Sequence, residues 1–422
     1  VIPAKVPRRK YPWGAGIHTF LDPRFRGDDE LIGKHGMSFL KGYNVLDLAS
    51  VGPAARASRI LADYGMNIIK VAPVAAKGAK QIDPVFHAYG AGRGTQKIRV
   101  DLKAEEGKQA ILRLAKSVDV VIESYRPGVA ARLGVGYEDL KKVNPKIVYC
   151  STSGYGQDGP YAQWVGHDIN YLAVGGFLGC SGTYAQGKPA IPGATVADSA
   201  GGGMHAALAI IAALLNAEKT GAGSYLDVSI TDGVLNLMSL YLDQYLATGE
   251  ETRPNNAVLT GKYAWYGLYT CGDGQHISVG AIEGHFFKNL CRLLDLEQFS
   301  GSQYDAARQE EMRAAFAQRF LTKSRDAWVE LLAGADTCTA PVLSISEVTE
   351  NAHLRARQTF MNARHPEKGG FEQLGPVLAG GERKQPEHQV RPAGETDTDA
   401  VFARAGFSAD EIAALKSAGA VE

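Results

Sequence analysis

Cysteine is scarce and unpatterned: Cys150, Cys180, Cys271, Cys291 and Cys338 are the only five in 422 residues, and none forms a CxxC pair. An odd, scattered set excludes a disulfide framework and offers no thiolate ligand spacing for a metal, so it reads as the reduced thiols of a cytoplasmic protein. An excess of either charge is also missing. Lysine and arginine number 45, aspartate and glutamate 45, and the formal net charge is zero. That excludes nucleic acid or a membrane surface as the dominant partner, yet leaves room for a local basic pocket. No uninterrupted apolar run approaches the roughly 18 residues of a membrane span. The nearest, 206–215, reads as a buried helix behind a glycine run. The signatures GxSxG, HExxH and the EF-hand loop are absent, so hydrolase and metalloenzyme readings have little to stand on.

Glycine is what the chain has in surplus. There are 49, where a share of about 7% would give roughly 30. Such an excess points to tight turns and close backbone approaches.

The first 36 residues differ from the rest. They hold four of the 18 prolines, mixed charge, no apolar core of a signal peptide, and acids at Asp22, Asp28, Asp29 and Glu30 that argue against a transit peptide. They read as a leader or extension outside the fold, with Met37 as the natural start. From Tyr43 onward, apolar strands at 44–48, 67–71, 118–122 and 146–150 alternate with helical stretches at 54–64 and 105–116. That pattern predicts βαβ units and an open parallel sheet, an α/β fold. A helix over 203–218, a strand over 224–229 and a helix over 231–247 complete a large domain spanning 37–249. A polar linker follows at 250–262. Residues 263–365 read as a smaller α+β domain, with a hairpin at 263–280 and helices over 284–294 and 308–332. A second, glycine- and charge-rich linker spans 366–386, and 387–422 returns to the large domain.

Few motifs carry chemistry on their own. Gly154 to Gly159 matches GxGxxG, but it follows the fourth strand rather than opening the first βα turn, which makes dinucleotide binding a weak reading. Residues 90–97 are glycine-rich and basic but lack the spacing of a phosphate loop. Arg126-Pro127-Gly128 falls at the carboxyl edge of a predicted strand, where open sheets bind ligands, although alone it reads more readily as a solvated loop. More telling is His167-Asp168, which enters an apolar, glycine-rich segment. Asp198 precedes a glycine run and a helix, and Glu283 ends an apolar strand. Each could be a simple helix cap. Together they are ionisable groups at element ends, which is how acid–base sites are built.

At these residues the chain resembles the family III CoA-transferase (CaiB/BaiF) superfamily, and most of all its α-methylacyl-CoA racemase branch. The resemblance rests on GHDINYLAVGG (166–176), VADSAGGGMHAALAI (196–210), GAGSYLDVSITDGV (221–234), DGQHISVGAIEGHFF (273–287), DTCTAPVLSISEV (336–348) and the Arg126–Gly134 stretch, and it covers roughly 40–420. It implies a Rossmann-like large domain, a small domain and a return segment that closes the chain into a ring. Two rings interlock as a homodimer, with each active site shared between the two chains.

The resemblance further implies His167 and Asp198 as the two groups that exchange the thioester α-proton on opposite faces, with Glu283 pairing with the histidine. Lys103, Arg126, Arg132 and Tyr171 match the CoA-binding positions; CoA enters as part of the substrate, and no metal or redox cofactor is required. The glycine-rich turn 198–203 is expected to offer backbone donors to an enolate oxygen. A CoA-transferase using Asp198 as acyl-accepting nucleophile is the alternative, and an idle CoA-binding protein a third. One departure stands out: after the strand at 68–71 the family carries Val-Glu and an arginine loop, where this chain reads Val71-Ala72-Pro73-Val74. Lys77, Lys80 or Arg93 are the candidates to replace that surface.

Overall fold

The computed structural model describes residues 38–49, 52–74, 92–184, 187–380, 383–392 and 394–422. The leader reading of 1–36, the start at Met37, and Lys77 and Lys80 lie outside the described residues.

Six strands form the central sheet: β1 (Asn44–Asp47), β2 (Asn67–Ala72), β3 (Gln96–Arg99), β4 (Val120–Glu123), β5 (Val148–Ser153) and β6 (Ser224–Ser229). All neighbours pair in parallel, in the order β3-β2-β1-β4-β5-β6. The near-continuous apolar sequences of β1, β4 and β5 follow from burial on both faces. Alternation along each strand feeds two separate cores. Val45, Ile68, Val120 and Val148 pack with the helix Gly52–Asp63, while Leu46, Ile69, Val121 and Tyr149 pack with the helix Glu105–Leu114. The chain's end joins the second core through Val401, Phe402, Phe407 and Ile412, and Arg99 of β3 pairs with Glu422 at 2.7 Å.

The strand order reverses between β1 and β4, which makes the crevice beyond their carboxyl ends the ligand-receiving position of such sheets. Buried acids end both strands. Asp47 is held by Lys70 Nζ and Ser58 Oγ, each at 2.6 Å. Glu123 accepts from the Tyr125 amide at 2.6 Å and from Ser151 Oγ, and burial pushes its carboxyl up.

Several elements differ from the sequence-based expectation. The helix expected from 203 begins earlier, as a π-helical segment, Ala197–Met204, that continues into the helix His205–Thr220. Its glycines allow backbone-to-backbone packing: a Cβ on Gly202 would fall 2.4 Å from Pro53 Cβ, and one on Gly233 1.9 Å from the Gly201 carbonyl oxygen. The run 197–220 is long and apolar enough to cross a membrane, but Ala206, Ala207, Ile210 and Leu214 pack into the core beside β4 and β5. The helix expected over 231–247 breaks into Ile230–Leu237 and Ser239–Thr248, because Met238 takes a turn-like backbone (φ −90°, ψ 4°).

A second sheet, β7 (Tyr266–Thr270), β8 (His276–Gly280) and β9 (Thr339–Pro341), is antiparallel and has its own aromatic core around Trp265, Phe287, Phe316 and Trp328. The helix expected over 308–332 is two, Gln309–Phe320 and Arg325–Leu332, since Ser324 caps the second by accepting from the Ala327 amide. The stretch 366–386, expected as linker, contains a strand. In a third sheet β10 (Phe360–His365) is flanked by β11 (Gly369–Leu374) and β12 (His388–Gln389). Two glycines at the start of β11 hide its short alternating pattern, and Gly369 takes the positive φ (78°) that opens the strand.

Candidate active site

His167 is the last extended residue (φ −128°, ψ 177°) before the helix Asp168–Val174. Asn170 fixes this start: its Oδ1 accepts from the His167 amide at 3.0 Å, and its own amide donates to the His167 carbonyl at 2.8 Å. The imidazole itself is exposed. Asp198 stands in the first turn of the π-helical segment, and its amide donates to Asp168 Oδ1 at 2.8 Å. Asp168 therefore ties two element starts that are thirty residues apart. The pairing brings His167 and Asp198 within electrostatic reach of one another.

The Asp198 carboxyl is half-buried among competing charges. Burial pushes its pKa up most, and the nearby Asp168 carboxylate pushes it further. Arg56 and His167 pull it back, and the balance lies above the ordinary aspartate value. A carboxyl raised in this way holds a proton to higher pH than a surface aspartate. The site thus presents two titratable groups of different chemistry on adjoining element starts.

Tyr171 braces this corner. It is only 7% exposed, its hydroxyl donates to the Gly166 carbonyl at 2.6 Å, and its pKa is pushed up to about 12, chiefly by burial and then by Asp198. A Cβ on Gly154 would fall 2.4 Å from the Tyr171 ring, and one on Gly166 2.8 Å. Glycine at 154 and 166 is therefore required by the ring, which gives part of the glycine surplus a packing role. Within the GxGxxG match, Gly154 is the bed of a tyrosine.

The remaining sequence-predicted residues divide. Arg126 and Arg132 flank a turn in which Gly128 takes positive φ (81°), and Arg132 Nη1 lies 3.2 Å from where a Gly128 Cβ would sit. Both arginines and Lys103 are exposed, and no salt bridge engages any of the three among the described residues. Arg93, a candidate replacement for the missing loop, is already committed: it is 7% exposed, pairs with Asp63 at 2.8 Å and donates to the Leu374 carbonyl at 2.6 Å. Glu283 precedes the helix Gly284–Leu293 beside the second sheet and is exposed. Burial and then the Glu283 charge raise the Cys338 thiol, and no hydrogen bond or ion pair joins Glu283 to His167 or Asp198 among the described residues.

Of the 198–203 backbone groups expected as enolate donors, two amides are already engaged. The Asp198 amide is taken by Asp168, the Ser199 amide by the Thr195 carbonyl at 2.9 Å, and Gly201, Gly202 and Gly203 are buried against neighbouring helices. Two residues near Asp198 lay outside the expected site, Asp168 and Arg56. Asp168 was legible in principle, as the acid directly after His167. Arg56 was not, because its approach to Asp198 depends on a long-range helix crossing.

Comparison with known proteins places the chain in a family. A model of CoA-transferase family III matches residues 40–398. The alpha-methylacyl-CoA racemase of Homo sapiens is 32% identical over 385 residues, covering 91% of this chain and 97% of the relative. The succinyl-CoA:glutarate CoA-transferase of Homo sapiens is 29% identical over 397 residues, covering 91% and 90%. Among solved structures, a CAIB/BAIF family protein from Brucella suis superposes with a TM-score of 0.70 at 24% identity, over 87% of this chain and 99% of that one.

Proposed function

The chain belongs to CoA-transferase family III, and from that membership we propose that it interconverts the 2R and 2S forms of 2-methylacyl-CoA thioesters. The observation that carries the reading is the pairing of His167 and Asp198 across Asp168. Inversion at an α-carbon needs one group to take the proton from one face and another to return it on the opposite face. Burial raises the Asp198 carboxyl above its ordinary value, which suits a group that must hold a proton as well as release one. In the forward direction one of the two residues removes the α-proton, the thioester passes through an enolate, and the other delivers its proton. Reversal exchanges the roles.

Arg126, Arg132 and Lys103 hold the phosphates of CoA in this reading. Exposed guanidinium groups without carboxylate partners at the crevice edge suit bidentate phosphate binding. Glu283 reaches His167 from a second copy of the chain, in a homodimer whose ring-closed protomers interlock. A transferase would instead use Asp198 as a nucleophile that forms a mixed anhydride with the acyl group and releases CoA thiolate.

The two readings separate in D₂O. A single epimer of a 2-methylacyl-CoA, incubated without acceptor acid, acquires deuterium at the α-carbon as it racemises. Acyl exchange between carboxylates without α-exchange would overturn the proposal and establish the transferase.

A further inference from the structure

Arg56 has no part in the reading above, yet it approaches Asp198 from a separate element. The helix Gly52–Asp63 crosses the π-helical segment at backbone contact: a Cβ on Gly203 would fall 2.7 Å from Arg56 Cβ. That closeness lets the side chain reach the start of the segment, where Arg56 Nη2 donates to Thr195 Oγ1 at 2.6 Å. Thr195 Oγ1 lies 3.3 Å from Ser199 Oγ, and the Thr195 carbonyl accepts the Ser199 amide at 2.9 Å. Thr195 and Ser199 bracket Asp198 in the chain, so the guanidinium grips the turn that presents the carboxyl. One turn along the same helix, Arg59 pairs with Asp63 at 3.0 Å. Arg56 has no carboxylate salt bridge among the described residues.

We propose that Arg56 is a positioning residue for Asp198, clamping the Thr195–Ser199 turn and setting a positive charge beside the carboxyl. The inference rests on the reading that Asp198 transfers a proton. The charged and titratable groups that face Asp198 are Asp168 and His167 at the start of one helix, Tyr171 within it, and Arg56 on the Gly52–Asp63 helix. Burial and Asp168 raise the carboxyl while Arg56 lowers it. Removing the guanidinium therefore moves ionisation of Asp198 to higher pH.

The test measures kcat against pH for the full-length chain on the 2-methylacyl-CoA epimer whose α-proton Asp198 removes. Arg56→Gln moves the acidic limb up by about half a pH unit or more and lowers kcat roughly tenfold. Arg56→Lys returns the limb towards its wild-type position without full recovery of kcat, because an ammonium keeps the charge but lacks the planar fork. Thr195→Val lowers kcat and leaves the limb in place, since it breaks the clamp and keeps the charge. An Arg56→Gln enzyme with the wild-type limb and a kcat within about twofold would overturn the proposal. If Arg56→Gln does not fold, Arg56→Lys and Thr195→Val carry the test: a wild-type kcat in both, or an acidic limb that moves in Thr195→Val, overturns it. An Asp198→Asn enzyme with wild-type rate and pH profile would instead sink the underlying assignment of Asp198, independently of Arg56.

Discussion

Asp198 and Glu283 are both acids at the start of a helical element, each following an apolar stretch, and the structure treats them in opposite ways. Asp198 is half-buried, its amide tied to Asp168, with Arg56, His167 and Tyr171 around it. Glu283 is exposed beside the second sheet, and its charge adds to burial in raising the Cys338 thiol. The first corner is assembled within one chain. The second is an acid held ready at a surface. The difference teaches that similar sequence settings give dissimilar surroundings: one chain brings His167 and Asp198 together by itself and leaves Glu283 at its surface.

The largest expected effect breaks the complete corner. Under the proposed function, Asp198→Ala removes one of the two groups that exchange the α-proton and lowers racemisation by about a thousandfold or more, and His167→Ala impairs it severely. Thermal melting and acyl-CoA binding report whether each variant keeps its fold and its ligand. Because His167 is exposed and its loop is fixed by Asn170, His167→Ala keeps the wild-type melting temperature. Full activity in both variants would remove the site assignment altogether.

A smaller effect tests the outward-facing acid. Glu283→Gln lowers kcat by roughly ten- to a hundredfold, less than loss of Asp198, because in the proposed mechanism it orients His167 and does not touch the substrate. If Glu283 serves the other chain, an equal mixture of Asp198→Asn and Glu283→Gln chains, unfolded and reassembled together, recovers about a quarter of the wild-type rate. Half of the dimers are then mixed, and each mixed dimer carries one intact site. Recovery no greater than that of the separate variants would place Glu283 in a role confined to its own chain.

Much of this contrast was legible in the sequence, but unevenly. The apolar strands of the parallel sheet declared themselves, because β1, β4 and β5 are buried on both faces and need little else. His167 and Asp198 stood out as charges entering apolar, glycine-rich segments. The β11 strand did not, since two glycines and a charged flank mask its alternation. The π-helical winding at Ala197–Met204 also left no local signal: it depends on Pro53 and Arg56 pressing on Gly202 and Gly203 from a helix some 150 residues earlier in the chain. Arg56 escaped for the same reason. Glycine surplus indicated close approach correctly, but sequence alone could not say whether ligand or protein does the approaching. At Gly154, Gly166 and Gly201–Gly203 it is protein.

Tyr171 gives the finest test of the comparison, because its sequence-based role and its structural surroundings point to different kinetic constants. A side chain that contacts CoA acts on KM. A buried ring whose hydroxyl donates to the Gly166 carbonyl at 2.6 Å acts through the loop that presents His167. Tyr171→Phe deletes that hydrogen bond and keeps the ring that Gly154 and Gly166 accommodate. The expected cost is about 1 kcal/mol of stability, with kcat falling a few-fold as the loop loosens and KM for the acyl-CoA unchanged. The matching control at the second corner, Cys338→Ser, changes neither constant, since an exposed thiol beside Glu283 braces nothing there. A raised KM with unaltered kcat in Tyr171→Phe would return the tyrosine to the CoA-binding surface and leave the His167 loop to be held by Asn170 and Asp168 alone.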